Sequence, residues 1–221
     1  MNKLYKYVPS QYLESVFEKG ELLFRNMSYF KQCEGKIRGD LLEGTHWDNP
    51  DNDIAIKGLT KRVTVKGNYS ILNSIDSDLI FIFCLSKKFD EVLFSEFNCD
   101  ACIEIYDIEE FIKRVRFAVR RLIAFREVGL LHREVMYYET NEPLQLDLDE
   151  VKNLVFMKEY SYSNQKEYRL VLGKKNSLKR KVRIIDNDRY SLFHNLDKGT
   201  AKEKKVTIGN LSDIAKIHIS E

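Results

Sequence analysis

A strand-like segment late in the chain carries the most suggestive pair of side chains. Glu167 and Arg169 stand two residues apart in the run QKEYRLVL, where strand alternation places them on one face and Tyr168 and Leu170 on the other. A carboxylate beside a guanidinium can form a fork that orients a polar ligand. The alternative is a surface salt bridge between strands, which contributes little stability. Both interpretations stay open at the level of sequence.

A second set of candidates lies in an acidic, glycine-containing segment, EGKIRGDLLEG at positions 34–44. Glycine permits backbone angles that let such a segment curl around a ligand. Arg38, Asp40 and Glu43 are therefore candidate substrate-binding residues, and the carboxylates could also hold a cation weakly. The spacing does not match an EF-hand, so no calcium site is predicted. The alternative is a solvated surface loop.

The N-terminal segment supplies a third set. Tyr5 and Lys6 lie on a predicted short strand, a predicted helix follows, and Arg25 ends the run ELLFR. Polar side chains on such a compact unit could point into a cleft and bind a charged ligand. The alternative is an ordinary start of the fold in which Lys6 and Arg25 face solvent.

Periodicity and breaker residues give the elements that must position these candidates. Apolar runs and alternation predict strands over 4–7, 21–25, 54–66 (one or two strands), 78–86, 101–106, 133–138, 167–172, 182–185, 190–193, 206–208 and 216–219. Helical spacing predicts helices over 10–20, 27–32, 89–97, 107–126 and 146–155, with a long loop over 33–53. Helices alternate with strands early and strands dominate late. This order predicts a single α+β domain over residues 1–221 with a mostly antiparallel, split or mixed sheet.

The strongest predicted helix begins at Asp107, which forms a capping box with Glu110. Apolar residues recur along it at helical spacing, and its polar face is rich in Lys and Arg. We therefore predict a long amphipathic basic helix that could follow nucleic-acid phosphates. The residues predicted to bind nucleic acid are those of this face and of the basic C-terminal third, namely Arg116, Arg120, Arg121 and positions 174–205.

The overall charge balance hides this uneven distribution of basic residues. The chain has 36 Lys and Arg against 34 Asp and Glu, a formal net charge of +2. Its hydrophobic fraction of 43% excludes a disordered charged tail. No apolar run approaches the roughly 18 residues of a spanning helix, so no membrane association is predicted. The N-terminus has no apolar signal-like core, which favours a cytoplasmic location.

The cysteines and the known catalytic motifs narrow the chemistry. Cys99 and Cys102 match C-x-x-C, which occurs in redox and zinc sites, but they lead into a strand-like run, which favours buried structural residues. The sequence contains neither phosphate-binding glycine motif, and neither H-E-x-x-H nor G-x-S-x-G. These absences argue against a P-loop NTPase, a kinase, a zincin and a classical hydrolase.

Taken together, the three sets of candidates match a family layout. The opening around Tyr5-Lys6-Tyr7 and ELLFRN resembles uncharacterised prokaryotic and phage proteins with a similar first strand, helix and second strand. In those proteins a strand with a serine follows, as at Ser86, and later a strand with E-x-R, as at 167–169. This layout is similar to the ADP-ribosyltransferase-like superfamily, which includes the DarT toxins and the RNA 2′-phosphotransferases.

The resemblance implies an NAD- or nucleotide-binding protein, of the kind found in phage or bacterial defence and toxin systems. It assigns Glu167 as the catalytic acid that stabilises the ribosyl centre bearing nicotinamide. It implies that NAD is gripped by residues of the first, middle and later strands and by neighbouring bases, namely Tyr5, Lys6, Arg25, Ser86 and Arg169. The acceptor would be nucleic acid or protein.

Two alternatives stay open. One is a non-catalytic phage or defence-related protein that captures a nucleotide or a host protein, which the lack of a first-strand histidine or arginine favours. The weaker one is a metal-dependent nuclease, for which the candidate ligands are Glu34, Asp40, Glu43 and Glu167.

Overall fold

Apolar alternation along the chain builds a mainly antiparallel β structure with helices on its faces. The computed structural model describes residues 3–33, 39–48, 54–57, 62–65, 69–139, 150–186 and 198–220. Within them the strands are β1 (Leu4–Val8), β2 (Glu21–Asn26), β3 (Thr45–Asp48), β4 (Ile54–Lys57), β5 (Arg62–Val65), β6 (Tyr69–Ser74), β7 (Ile80–Ser86), β8 (Ala101–Ile105), β9 (Leu130–Glu134), β10 (Met136–Tyr138), β11 (Met157–Glu159), β12 (Glu167–Gly173), β13 (Lys181–Asp186), β14 (Glu203–Thr207) and β15 (Ala215–Ile219). The α-helices are α1 (Met27–Gln32), α2 (Glu91–Glu96) and α3 (Ile108–Arg120). Short 3-10 helices cover Ser10–Tyr12, Ile123–Phe125, Val151–Phe156 and Tyr160–Gln165, and a π-helical turn covers Glu14–Glu18.

The main sheet has eight strands and divides at β7. Its path runs β14-β2-β7-β1-β8-β15, with β12 also paired to β7 and β9 paired to β12. Because β12 follows β7 along its whole length, β1 and β2 share the opposite edge of β7. The predicted single α+β domain with a mostly antiparallel sheet is confirmed. Among the described strand pairs, only β10 and β11 run parallel.

Alternation along β7 and β12 separates two cores on the two faces of the sheet. On the face covered by α3, which we call the helix face, Phe83 of β7 and Phe111 of α3 belong to one core. On the opposite face, Ile82 packs with the segment 154–157. Every residue of β12 is buried. Its polar side chains must therefore find partners inside the protein.

The segment after β1 differs from the predicted helix over 10–20. At its start, the backbone N–H and the hydroxyl of Ser10 both donate to the Asp100 carboxylate at 2.6 Å. The chain instead forms a 3-10 turn followed by a π-helical turn. Gly20 ends it as predicted, at φ +64°, where a Cβ would collide with the backbone of Gly209.

The strongest predicted helix is present but shorter than expected. Asp107 caps α3 by accepting the Glu110 N–H at 3.0 Å, as predicted. The helix ends at Arg120, and a separate 3-10 turn follows at Ile123–Phe125, so a long basic helix over 107–126 is not what forms. In the described ranges, none of the helices is both long and apolar enough to cross a membrane.

Three further predictions change in detail. The predicted loop over 33–53 contains β3, which pairs with β6. The predicted strand over 133–138 is two strands, because the Val135 N–H turns to the Glu167 carbonyl at 2.9 Å. The C-terminal part of the predicted helix over 146–155 is a 3-10 helix. Its first residues, 146–149, and the predicted strand over 190–193 lie outside the described residues.

Candidate functional site

Three of the predicted site residues lie in one row across neighbouring strands. Ser86 of β7 stands opposite Tyr5 of β1 and also opposite Glu167 of β12. Residues directly opposite in antiparallel strands project from the same face of a sheet. The fold therefore brings the first, middle and third candidate positions together on one face, next to the point where β1 and β2 diverge.

Within this row, Ser86 and Tyr5 already have partners. Ser86 is buried, and its hydroxyl donates to the Gln165 carbonyl at 2.8 Å and accepts the Lys88 N–H at 3.0 Å. The Tyr5 ring is half-buried and lies 5.6 Å from the Phe89 ring. Tyr5 is thus the more open end of the row, and Ser86 is its closed centre.

Lys6 and Arg25 do not join this row. The Lys6 ammonium donates to the Cys84 carbonyl at 2.9 Å and lies 4.4 Å from the centroid of the Phe83 ring, on the helix face of the sheet. Arg25 stacks on Tyr29 at 4.1 Å. It pairs with Ile82, four residues along β7 from Ser86, which corresponds to about 13 Å at the rise of a strand.

The strongest polar feature of the protein is a buried cluster centred on Arg169. Its guanidinium binds both Glu43 oxygens, at 2.6 and 3.0 Å, and both Glu167 oxygens, at 2.7 and 3.3 Å. It also donates to the Val155 carbonyl at 2.7 Å. Arg169 is 0% exposed and Glu43 1%. All five N–H groups of the guanidinium are therefore used inside the protein.

Lys158 and Asp40 extend this cluster. The Lys158 ammonium donates to Glu167 at 3.2 Å and to the Gln165 side-chain oxygen at 3.1 Å. Asp40 is buried and accepts the Leu42 N–H at 2.9 Å, but within the described chain it forms no salt bridge. We call the five charged residues the buried cluster, namely Asp40, Glu43, Lys158, Glu167 and Arg169.

The cluster holds three carboxylates against two cations, and its pKa shifts reflect this imbalance. Although burial alone would raise it, the pKa of Glu167 lies well below its usual range because Arg169 and Lys158 stabilise the carboxylate. Burial raises the pKa of Asp40, against the opposing effect of Lys158. Such opposite shifts in one place are typical of functional sites, although structural ion networks produce them too.

Local sequence explains how the cluster is assembled. Lys166, at φ +43°, turns the chain sharply from the 3-10 helix Tyr160–Gln165 into β12. Glu167 and Arg169 share one face, as their alternation predicted, and this face lies opposite α3. The segment before β3 folds inward, so Asp40 and Glu43 are buried rather than solvated.

Sequence reasoning missed Lys158 and Gln165. Both stand in KEYSYSNQ, directly before the predicted strand, and this polar run was the available signal. A lysine in such a polar run is expected to be solvated. The parallel pairing of β10 with β11 is what brings Lys158 to Glu167. Of the other predicted substrate residues, Arg38 lies outside the described residues, as does Glu34.

The predicted nuclease ligands do not form a metal site in the described residues. There, no group of three or more His, Cys, Asp or Glu side chains is placed to hold a metal ion. The space between Glu43 and Glu167 is filled by the guanidinium of Arg169.

The predicted nucleic-acid residues point in different directions. Arg116 lies 3.4 Å from His132 of β9. Arg121 stacks on Phe117 at 4.6 Å, on the side of α3 that faces β14. Arg120 is exposed. Residues 187–197 of the basic C-terminal third are outside the described chain.

The C-x-x-C pair is divided between two environments. Cys102 is fully buried in β8, as predicted, and burial raises its thiol pKa to about 12. The Cys99 thiol precedes the strand and donates to the Phe97 carbonyl at 3.2 Å. Cys99 and Cys102 are not joined to each other by a disulfide in this structure.

Comparison with protein-family models, with curated proteins and with solved structures found no match to this chain.

Proposed function

We propose that this chain binds NAD or a related nucleotide on the sheet face that carries Tyr5, Ser86 and Glu167. The observation that carries the proposal is the row itself, because three neighbouring strands present these residues side by side. This is the arrangement that the sequence resemblance to ADP-ribosyltransferase-like proteins requires.

Each residue would have a separate task. Glu167 is held as a carboxylate by Arg169 and Lys158, so it would stabilise positive charge at the ribosyl carbon. The bond from this carbon to nicotinamide would break with its electron pair leaving on nicotinamide. An acceptor on nucleic acid or protein would form the new bond and release its proton to solvent. Tyr5, at the open end, would contact the ligand first.

The fit to NAD is better at the ribose than at the pyrophosphate. Arg169 has no unused donor, Lys6 lies on the opposite face, and Arg25 lies about 13 Å along the strand. These three bases therefore do not converge on the row. That these bases neutralise the pyrophosphate of NAD stays part of the proposal. A cytoplasmic location for the protein is likewise part of the proposal.

The test is nicotinamide release from NAD, with and without DNA or RNA, together with thermal shifts on adding NAD. Glu167→Gln is expected to reduce release at least about 100-fold, because it removes the charge that stabilises the transition state. Glu134→Gln, on the neighbouring strand β9, is the matched control and is expected to retain activity. Circular dichroism checks that each variant folds.

Tyr5→Phe probes the site without disturbing the buried cluster. It keeps the ring and its contact with Phe89, so folding should be unchanged while NAD binding weakens. If wild-type protein neither releases nicotinamide nor gains thermal stability with NAD or related nucleotides, the proposal is wrong.

A second candidate function is capture of a nucleotide without turnover. The saturated hydrogen bonding of Ser86 and Arg169 favours it, since neither has to rearrange if the ligand only docks against the row. A saturable thermal shift with NAD or a nucleotide, with no nicotinamide released, would support this candidate over transfer.

A further inference from the structure

A groove on the helix face of the sheet lies away from the buried cluster. It has a volume of about 550 Å³ and runs between α3 and the strand β14. Its apolar wall includes Phe117, Leu122, Val206 and Ile208. Phe117 is 59% exposed, which is unusual for a large aromatic side chain facing a groove.

The strand that borders this groove has an open edge. β14 ends the path of the main sheet and pairs with β2 only, among the strands that the structure describes. The Asn26 N–H donates to the Lys202 carbonyl, and the Ile208 N–H donates to the Gly20 carbonyl. Because antiparallel bonding alternates, Glu203, Lys205 and Thr207 turn their backbone N–H and C=O away from β2. Such groups are a template for another strand.

The charges around the groove favour a partner of one charge sign. Its lining contains four bases (Lys113, Arg114, Arg121 and Lys205) and one acid, Glu110. Glu110 and Asp213 together engage Lys113 and Arg114, and Lys205 pairs with Glu21 at 3.0 Å. Arg121, in contrast, has Phe117 as its partner and makes no salt bridge within the described chain. A basic side chain at an open edge disfavours a neutral strand because pairing would desolvate the charge, and it repels a basic strand, whereas an acidic strand compensates it.

We infer that the groove between α3 and β14 accepts an extended segment of a partner polypeptide in which acidic and apolar residues alternate. The segment adds to the open edge of β14 through backbone hydrogen bonds. One row of its side chains meets Phe117 and Leu122, and the other row lies on the side of Lys205. Arg121 binds a carboxylate at the rim.

Two observations favour a polypeptide over single-stranded nucleic acid. Arg121 already covers one face of the Phe117 ring and leaves a stacking base at most the other face. Arg116 and Arg120 lie outside the groove, so no continuous track of bases follows it.

Fluorescence anisotropy with a labelled seven-residue peptide tests the inference. The probe is acetyl-Asp-Leu-Asp-Val-Asp-Leu-Asp-amide, and the comparison probes are its Lys-for-Asp counterpart, the same peptide N-methylated at alternate positions, and a twenty-nucleotide oligo-dT. Only the acidic, unmethylated peptide is expected to bind saturably. Binding should also slow amide hydrogen exchange at Lys205 and Thr207, which a role for side chains alone would not produce.

Matched surface variants locate the site. Phe117→Ser and Arg121→Glu are each expected to weaken peptide binding about tenfold. Ile123→Ser and Arg120→Glu are the controls, since Ile123 is 78% exposed and neither residue lines the groove. Equal losses in controls and test variants, binding of the N-methylated peptide, or binding of oligo-dT alone would each overturn the inference. None of these outcomes depends on NAD.

Discussion

The two faces of the main sheet handle charge in opposite ways. On one face, Arg169 is enclosed and each of its donors is committed to Glu43, Glu167 or the Val155 carbonyl. On the other face, Arg121 stands at the rim of a groove with an aromatic ring as its partner. A buried charge positions the groups that are hydrogen-bonded to it. An exposed charge at the rim can replace its contacts with water by contacts with a ligand. Burial therefore separates a residue that builds a site from one that can recruit a partner.

The largest test of this contrast is removal of the central guanidinium. Arg169→Met should lower the free energy of unfolding by about 3–5 kcal/mol, because it leaves buried carboxylates without their cation. Urea denaturation at neutral pH measures the loss. Arg121→Met is the counterpart on the other face and should change the free energy by no more than about 0.5 kcal/mol. Similar losses in both variants would contradict the distinction between the two faces.

A second test measures how the free energy of unfolding changes at acidic pH. The pKa of Glu167 is lower in the folded protein than the value of about 4.3 for an unfolded chain. Its contribution is therefore fully present above that value and is lost as the pH falls below it. Glu167→Gln should lower stability at pH 7 and flatten the decline below about pH 4. Glu134→Gln should keep the wild-type acid dependence, as followed by urea titrations at several pH values.

Two aspartates should respond to pH with opposite signs. Burial raises the pKa of Asp40, so its contribution to stability is largest below an unfolded value of about 3.9 and is lost as the pH rises through the folded pKa. The pKa of Asp78 is lowered, because Ser28, the Thr200 N–H and Lys202 outweigh its burial.

Asp40→Asn should therefore raise the melting temperature at pH 7, and Asp78→Asn should lower it. The Asp40 difference should shrink as the pH falls toward about 4, whereas the Asp78 difference should persist down to about pH 4 and shrink only below it, which thermal melts between about pH 2 and 8 would record. Shifts of the same sign in the two variants would show that the buried cluster does not carry an excess carboxylate.

The smallest expected effect concerns the turn before β12. Lys166 adopts a left-handed conformation, which costs a residue with a Cβ roughly 1 kcal/mol. Lys166→Gly should raise the free energy of unfolding by up to about 1 kcal/mol, while Lys166→Ala should not. A gain in both variants would mean that the lysine charge, rather than the backbone, is responsible.

Sequence patterns predicted the strands well because a buried strand shows a continuous or alternating run of apolar residues. The continuous run at Ile80–Ser86 and the alternation at Glu167–Gly173 are examples, and the shared face of Glu167 and Arg169 followed from the latter. The predicted helix after β1 forms as 3-10 and π-helical turns rather than as an α-helix, and Asp100, ninety positions away, binds Ser10 at its start. Long-range partners of this kind leave no local signal.

The same limit applies to the candidate site. Asp40 and Glu43 were grouped with Glu167 only as candidate ligands of the nuclease alternative, and nothing local indicates that Glu43 meets Arg169. Lys158 and the Tyr5–Ser86–Glu167 row depend on strand pairing, which periodicity does not specify. The NAD and nucleic-acid roles stay predictions.

The pairing of Glu43 with Arg169 joins positions 126 residues apart in sequence, and this separation has a kinetic consequence. Closing a loop of that length costs about 4 kcal/mol of chain entropy before the contact forms. We expect the pair to be absent from the folding transition state and to form only once β7 and β12 are aligned. Weakening it, as in Glu43→Gln, should then speed unfolding in stopped-flow experiments while leaving the refolding rate nearly unchanged. The salt bridge would act mainly by slowing unfolding and so lengthening the lifetime of the folded protein.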